Sequence, residues 1–136
     1  MAERSIVSME EADRLYALAG EKYQAALAIK PDDHEALNNW GSALSDQAKT
    51  KQGEEADRLF KLADEKLNEA EAIHPGSAAY NLACIASLTH SEVIARKWLD
   101  LARVAGTLPD RDHLVNDSNS HFESLSRRCR ASGRSG

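Results

Sequence analysis

Five histidines, two cysteines and a recurring set of carboxylates are the residues of this chain whose types could carry chemistry. His34, His74, His90, His113 and His121 mostly fall at expected helix ends or turns. None makes an HxxxH pair or joins a cysteine at zinc spacing, so no metal site is expected. Cys84 lies in the apolar run YNLACIASL and Cys129 in a basic tail. They form neither a CxxC pair nor a small disulfide framework, and Cys84 reads as a small buried apolar residue. Glu10, Glu11 and Asp13 return as Glu54, Glu55 and Asp57, beside Arg14 and Arg58. Spaced along helices, such charges make solvated ion pairs rather than a catalytic cluster. The chain has no GxSxG, P-loop, GxGxxG or HExxH pattern, so neither catalysis nor a cofactor is expected.

The carboxylates recur because a longer stretch recurs. Residues 10–31, EEADRLYALAGEKYQAALAIKP, return at 54–75 as EEADRLFKLADEKLNEAEAIHP, with 14 of 22 positions identical at an offset of 44. A period in this range marks a repeat array, in which each unit has an apolar face that only a neighbour can cover. Such arrays bind more often than they catalyse. At 136 residues, 42% apolar and 29% charged, the chain suits one soluble domain. Its many Ala, Leu, Glu and Lys residues favour helices, and no sheet is expected.

Helix boundaries follow from caps and prolines. Ser8 and Glu11 have capping-box spacing, so a first helix is expected over about 9–29, ended by Pro31. Asp32 and Glu35 repeat the cap for a second helix carrying Ala36, Leu37, Trp40, Ala43, Leu44 and Ala48, followed by a turn over 49–53. A third helix is expected over 54–73, with Leu59, Phe60, Leu62, Ala63, Leu67, Ala70 and Ile73 buried. The fourth, over about 77–88, is apolar on most sides and belongs in the interior. The fifth covers about 92–105 and is closed by Gly106 and Pro109. Two short helices near 111–116 and 119–128 would finish the fold on Leu114, Val115, Phe122 and Leu125, and residues 131–136 are expected to be disordered. Trp40 and Trp98 sit on apolar stripes and read as packing residues.

Read as helix pairs, Leu37-x2-Trp40-Gly41-x2-Leu44, Ala63-x3-Leu67-x2-Ala70 and Pro75 resemble a tetratricopeptide repeat. Ala19-x3-Tyr23-x2-Ala26 with Pro31 repeats the second-helix pattern, and Ala79-x2-Leu82-Ala83-x2-Ala86 with Ala95-x3-Leu99-x2-Ala102 supplies a third unit. The resemblance implies an all-α, right-handed superhelical stack of antiparallel helix pairs, an α-solenoid, with its array over 9–106 in a domain of 1–130. The proline spacing of 44 exceeds the common repeat of about 34 and lengthens the helices around residues 45–55. The segment after the array resembles the cap that closes some bacterial tetratricopeptide groups, which gives capping helices over about 110–128.

The resemblance also implies a site. The first helix of each pair lines a concave groove that takes up a peptide or partner helix. That face carries Glu35, Asn38, Ser42, Ser45 and Asp46 on the second helix, and Ser77, Tyr80, Cys84, Ser87 and Leu88 on the fourth. Asn39 and Asn81 occupy equivalent places and would hold an extended backbone through their amides. No Lys or Arg stands where a carboxylate clamp would need one, so a neutral or basic peptide is the expected ligand. The implied function is a scaffold or adaptor module for protein binding. A structural alternative has the array stacking on further repeats or on another copy through an exposed helix-one face carrying Leu15, Leu18 or Tyr23.

Charge narrows the partners. Residues 1–75 carry 16 acids and 9 bases, a net of -7, whereas 76–136 carry 6 and 8, a net of +2. The acidic body and the lack of interleaved aromatics argue against nucleic acid, and Arg127, Arg128, Arg130 and Arg134 read as a solvated tail. No apolar run suits a signal peptide or membrane span, so a cytoplasmic chain with a protein partner and no membrane contact is expected, monomeric or weakly self-associating.

Overall fold

The computed structural model describes residues 2–89, 91–107, 127 and 129. Among these the architecture is all-helical, in the order α1 (Ala2–Ile29), α2 (His34–Lys49), α3 (Gly53–Ile73), α4 (Ala79–Leu88) and α5 (Glu92–Ala105). Neighbours in sequence are neighbours in space, with α2 against α3 and α4 against α5 as the closest pairs. The expected all-α stack of helix pairs is what the chain forms. The expected short helices near 111–116 and 119–128, their anchors and the 131–136 tail lie outside the described residues, apart from Arg127 and Cys129.

Two boundaries differ from expectation for local reasons. α1 begins well before Ser8, so that serine is interior to the helix and caps nothing. Isolated cap signals lose to helix propagation when the flanking residues are also good helix formers. At α2 the cap is Asp33, whose carboxylate accepts from the Ala36 N–H at 3.1 Å, rather than Asp32. α5 ends as expected, with Gly106 in the left-handed region.

The core has two parts that share α4. Leu37, Leu44, Leu59, Ala63, Leu67, Leu82 and Ile85 form the first, with Trp40, Phe60, Leu62 and Trp98 packed against it. Ala79, Ala83, Ala86, Ala95, Leu99, Ala102 and Cys129 form the second. Leu67 and Leu82 are fully buried, and burial of such a side chain contributes about 1.5–3 kcal/mol. α4 is interior, as its composition implied, and both tryptophans pack as expected. Ile73 is the exception in α3: it is exposed at the helix end.

Gly41 shows why the α2–α3 pair can close. A methyl group there would stand 2.5 Å from Leu67 Cγ and 3.2 Å from the Ala63 carbonyl oxygen. Only hydrogen fits. The α3–α4 connection is held by Glu71, whose carboxylate accepts from the Gly76 and Ala78 N–H groups at 2.9 and 2.8 Å. Thr107 Oγ1 donates to the Gly76 carbonyl at 2.9 Å, so the end of α5 is tied to the same turn.

Candidate functional site

Two concavities flank α4. The first, about 260 Å³, lies between α2 and α4 and is lined by Ser42, Ser45, Asp46, Lys49, Tyr80, Asn81, Cys84 and Cys129. It gathers six of the expected groove residues, Ser42, Ser45, Asp46, Tyr80, Asn81 and Cys84. Asn81 Nδ2 donates to Asn38 Oδ1 at 2.9 Å, a bond that ties α4 to α2. Glu35 and Asn39 are exposed and stand outside this lining. Ser87 is buried and donates to the Cys84 carbonyl, a bond within its own helix. Ser77 donates to the Ala70 carbonyl at 3.4 Å, and Leu88 packs on the second core.

Cys84 requires a correction. It is not a free apolar residue but is joined to Cys129 by a disulfide, with the two Cα atoms 5.5 Å apart and the cysteines 45 positions apart in the chain. Cys129 is itself buried against the alanines of α4 and α5, so the tail is not solvated throughout. The spacing gave no warning. A bond between residues 45 apart depends on how the chain folds back, which periodicity does not encode.

The second concavity, about 410 Å³, lies between α3, α4 and α5. Phe60, Leu82, Ile85, Ala86, Ile94 and Trp98 form its apolar walls, with Asp57, Lys61, Asp64 and Asn68 along the α3 side. Its volume is that of an ordinary ligand cleft. Burial raises the Asp64 carboxyl above the ordinary carboxylate range, against the opposing effect of the Asn68 amide, which donates to it at 3.1 Å. Neither Asp57 nor Asp64 has a cation within ion-pair distance among the described residues.

The first repeat copy treats the equivalent positions differently. Asp13, the counterpart of Asp57, accepts from Lys51 Nζ at 2.7 Å and from Gln47 Nε2 at 3.5 Å. The Lys51 hydrogen bond lowers its pKa, and Asp13 in turn raises that of Lys51. A methyl group built on Gly20, the counterpart of Asp64, would stand 3.7 Å from the Trp40 indole nitrogen. Tyr23 stacks on the same indole at 6.3 Å, and Lys66 stands 4.5 Å over it. The α1 face is therefore closed by α2, whereas the α3 face is open. A signal for this was present: the two copies diverge at Ala17 and Lys61 and at Gly20 and Asp64, in the stretch that lines the cleft.

Stacked helix pairs with an apolar cleft edged by carboxylates that have no ion-pair partner among the described residues fit a helical-repeat module of the protein-binding class. The comparison with family models gives the particular family. Residues 4–113 match the plant-specific mitochondrial import receptor subunit TOM20, and the chain belongs to that family. The family has a tetratricopeptide-like helical fold and a receptor's role, which is a protein-binding one. No curated protein and no solved structure matches the chain.

The family overturns three expectations. A plant-specific mitochondrial receptor is neither bacterial nor cytoplasmic, and a bacterial type of terminal cap has no support. Nor is there support for excluding a membrane, although no described helix is long and apolar enough to cross one. Composition could not reveal the address, because a receptor's folded domain has the same surface chemistry as any other soluble helical domain.

Proposed function

We propose that this chain is the peptide-reading part of a mitochondrial import receptor, and that the α3–α5 cleft takes the apolar face of a positively charged targeting presequence. The observation that carries this reading is Asp64, a half-buried carboxylate on the edge of an apolar cleft with no cation beside it among the described residues. An amphipathic helix laid in the cleft would place apolar side chains on Phe60, Ile94 and Trp98 and a Lys or Arg on Asp64. Asp57 would take a second cation about two helical turns away, and Lys61 between them would repel a third, so the ligand's basic residues would be spaced to either side of it. The partner is thus narrower than a general scaffold's: a basic, apolar segment rather than a folded surface.

Trp98 makes the test direct, because it lines the cleft and Trp40 does not. In a Trp40→Phe chain, a labelled presequence peptide should shift Trp98 emission to the blue, and Ile94→Asp should weaken binding by about tenfold. Ile94 is half exposed, so this substitution leaves the core in place. Peptide binding that leaves Trp98 emission unchanged, or that Ile94→Asp does not alter, would remove the cleft from the mechanism.

A second reading has its own observation. Leu15 and Leu18 of α1 are 55% and 43% exposed, and Ile29 is 87% exposed, on the first helix of the array. An apolar face of this kind is what further repeats, or another copy, would cover. Tyr23 does not belong to it, since it is half-buried on Trp40.

A further inference from the structure

We propose that α1 presents a docking face for a single amphipathic helix of a partner protein, one with the residue pattern that α2 presents to α3. This makes specific the second reading above and is independent of the α3–α5 cleft. The internal repeat carries the argument. Ala56, Leu59, Ala63, Leu67 and Ala70 are the buried residues of α3. Their counterparts in the first copy are Ala12, Leu15, Ala19, Tyr23 and Ala26, four of them the same residue, yet none of these is buried. Leu59 is 5% exposed, whereas Leu15 is 55% exposed. Residue type cannot produce that difference, so a neighbour that α3 has and α1 lacks produces it.

The second copy shows what that neighbour is. α2 lies against α3, with Gly41 closing on Leu67 and on the Ala63 carbonyl. Lys66 of α3 stands 4.5 Å over the Trp40 ring of α2, a cation on an aromatic face. Carried over to the first copy, a small residue of the incoming helix would close on Ala19 and an aromatic one would sit beneath Lys22. Lys22 is exposed and has no ring beside it among the described residues. Leucines to either side, spaced as Leu37 and Leu44 are, would cover Leu15 and the alanines. Tyr23 and Asp13 already meet α2, so the open face lies on another side of α1.

The backbone assigns the occupant to another molecule. Residues 50–52 connect α2 to α3 and turn the chain back along it. Their counterparts, Ile6, Val7 and Ser8, lie within α1, which runs on to Ala2. Helix there carries the chain about 10 Å past the point at which such a turn would reverse it. A second copy does not supply the pattern either, because its Leu37, Leu44 and Ala48 are buried in its own core. The fitting partner is therefore a separate helix with the pattern leucine, aromatic, small residue, leucine at the spacing of residues 37, 40, 41 and 44.

A synthetic peptide of residues 32–51 is the probe, since it carries this pattern. It has four acids and two lysines, so it does not suit a cleft that takes basic ligands. Titrated at millimolar concentration into the isotope-labelled full chain, it should shift the amide resonances of residues 12–26 saturably. Leu15→Glu in the chain and Gly41→Leu in the peptide should each weaken binding by about tenfold, the first by charging the face and the second by blocking close approach. Lys22→Glu, also on the exposed surface, should weaken it by about threefold through the lost cation–π contact. Both chain variants should keep the circular dichroism of the parent, because Leu15 and Lys22 lie outside the core. No saturable shift, shifts centred on Trp98, or equal binding of the Gly41→Leu peptide would overturn the proposal. So would a chain whose mass doubles with concentration and returns to monomer with Leu15→Glu, because a second copy would then be the cover. The response of Trp98 emission to a presequence should be the same with and without Leu15→Glu, which keeps failure here apart from failure of the cleft.

Discussion

Asp13 and Asp64 carry opposite shifts and so oppose each other in how stability responds to pH. Asp13, lowered chiefly by its hydrogen bond from Lys51, keeps its charge more readily in the folded chain than in the unfolded one. Its stabilisation is present above the ordinary carboxylate range and is lost as pH falls through its depressed folded value. Asp64, raised by burial, holds its proton to higher pH when folded. The native chain then binds more protons than the unfolded one within that window, so stability falls as pH rises through it. Asp64→Asn should therefore raise the urea midpoint at neutral pH and flatten its dependence on pH just above the ordinary carboxylate range. The same substitution should weaken presequence binding by about threefold to tenfold through the lost charge, a gain in stability together with a loss in affinity. A midpoint that drops at neutral pH would mean that the Asn68 bond outweighs the burial cost.

At the scale of elements, the α2–α3 pair depends on close approach and the α2–α4 pair on a polar tie. Gly41→Ala would drive a methyl group into Leu67 and toward the Ala63 carbonyl, and overpacking of this kind costs about 1–3 kcal/mol. We expect a lower urea midpoint with an unchanged slope, since the surface exposed on unfolding stays the same. The sequence made this pair legible: the small residue, the leucines and the prolines ending α1 and α3 are local signals with a helical period. The Asn38–Asn81 bond was not legible in the same way. The amides were readable as polar groups on one face, but whether they meet a ligand or each other depends on the angle between α2 and α4. The His34–His74 stack, with ring centroids 4.6 Å apart, is of the same kind, made by helix ends 40 residues apart in the chain.

For the molecule as a whole, the exposed apolar face of α1 is what further packing would cover. Leu15 and Leu18 give α1 an apolar face that no described element covers. If copies pair through it, mass measured by light scattering should rise with concentration, and Leu15→Glu with Leu18→Lys should hold the chain monomeric without loss of helicity. A concentration-independent monomer mass in the unsubstituted chain would exclude self-pairing and leave further repeats or a partner protein as the cover. The disulfide joins α4 to Cys129. In the chain-entropy account, a bridge over 45 residues stabilises by about 4 kcal/mol if it constrains the whole unfolded loop.

The sequence by itself determined the helices, their order, the interior place of α4 and the binding class, because these follow from period, composition and a repeat that local physics reads directly. It also exposed the positions at which the two copies diverge, without saying that they edge a cleft. Tertiary structure alone decided that Asp13 pairs with Lys51 while Asp57 has no such cation among the described residues, that Asn81 donates to Asn38, and that Cys84 is bonded to Cys129. Each of these turns on the distance between side chains on different elements, and a shift of a few ångströms in helix packing decides it while leaving every periodic signal in the chain unchanged.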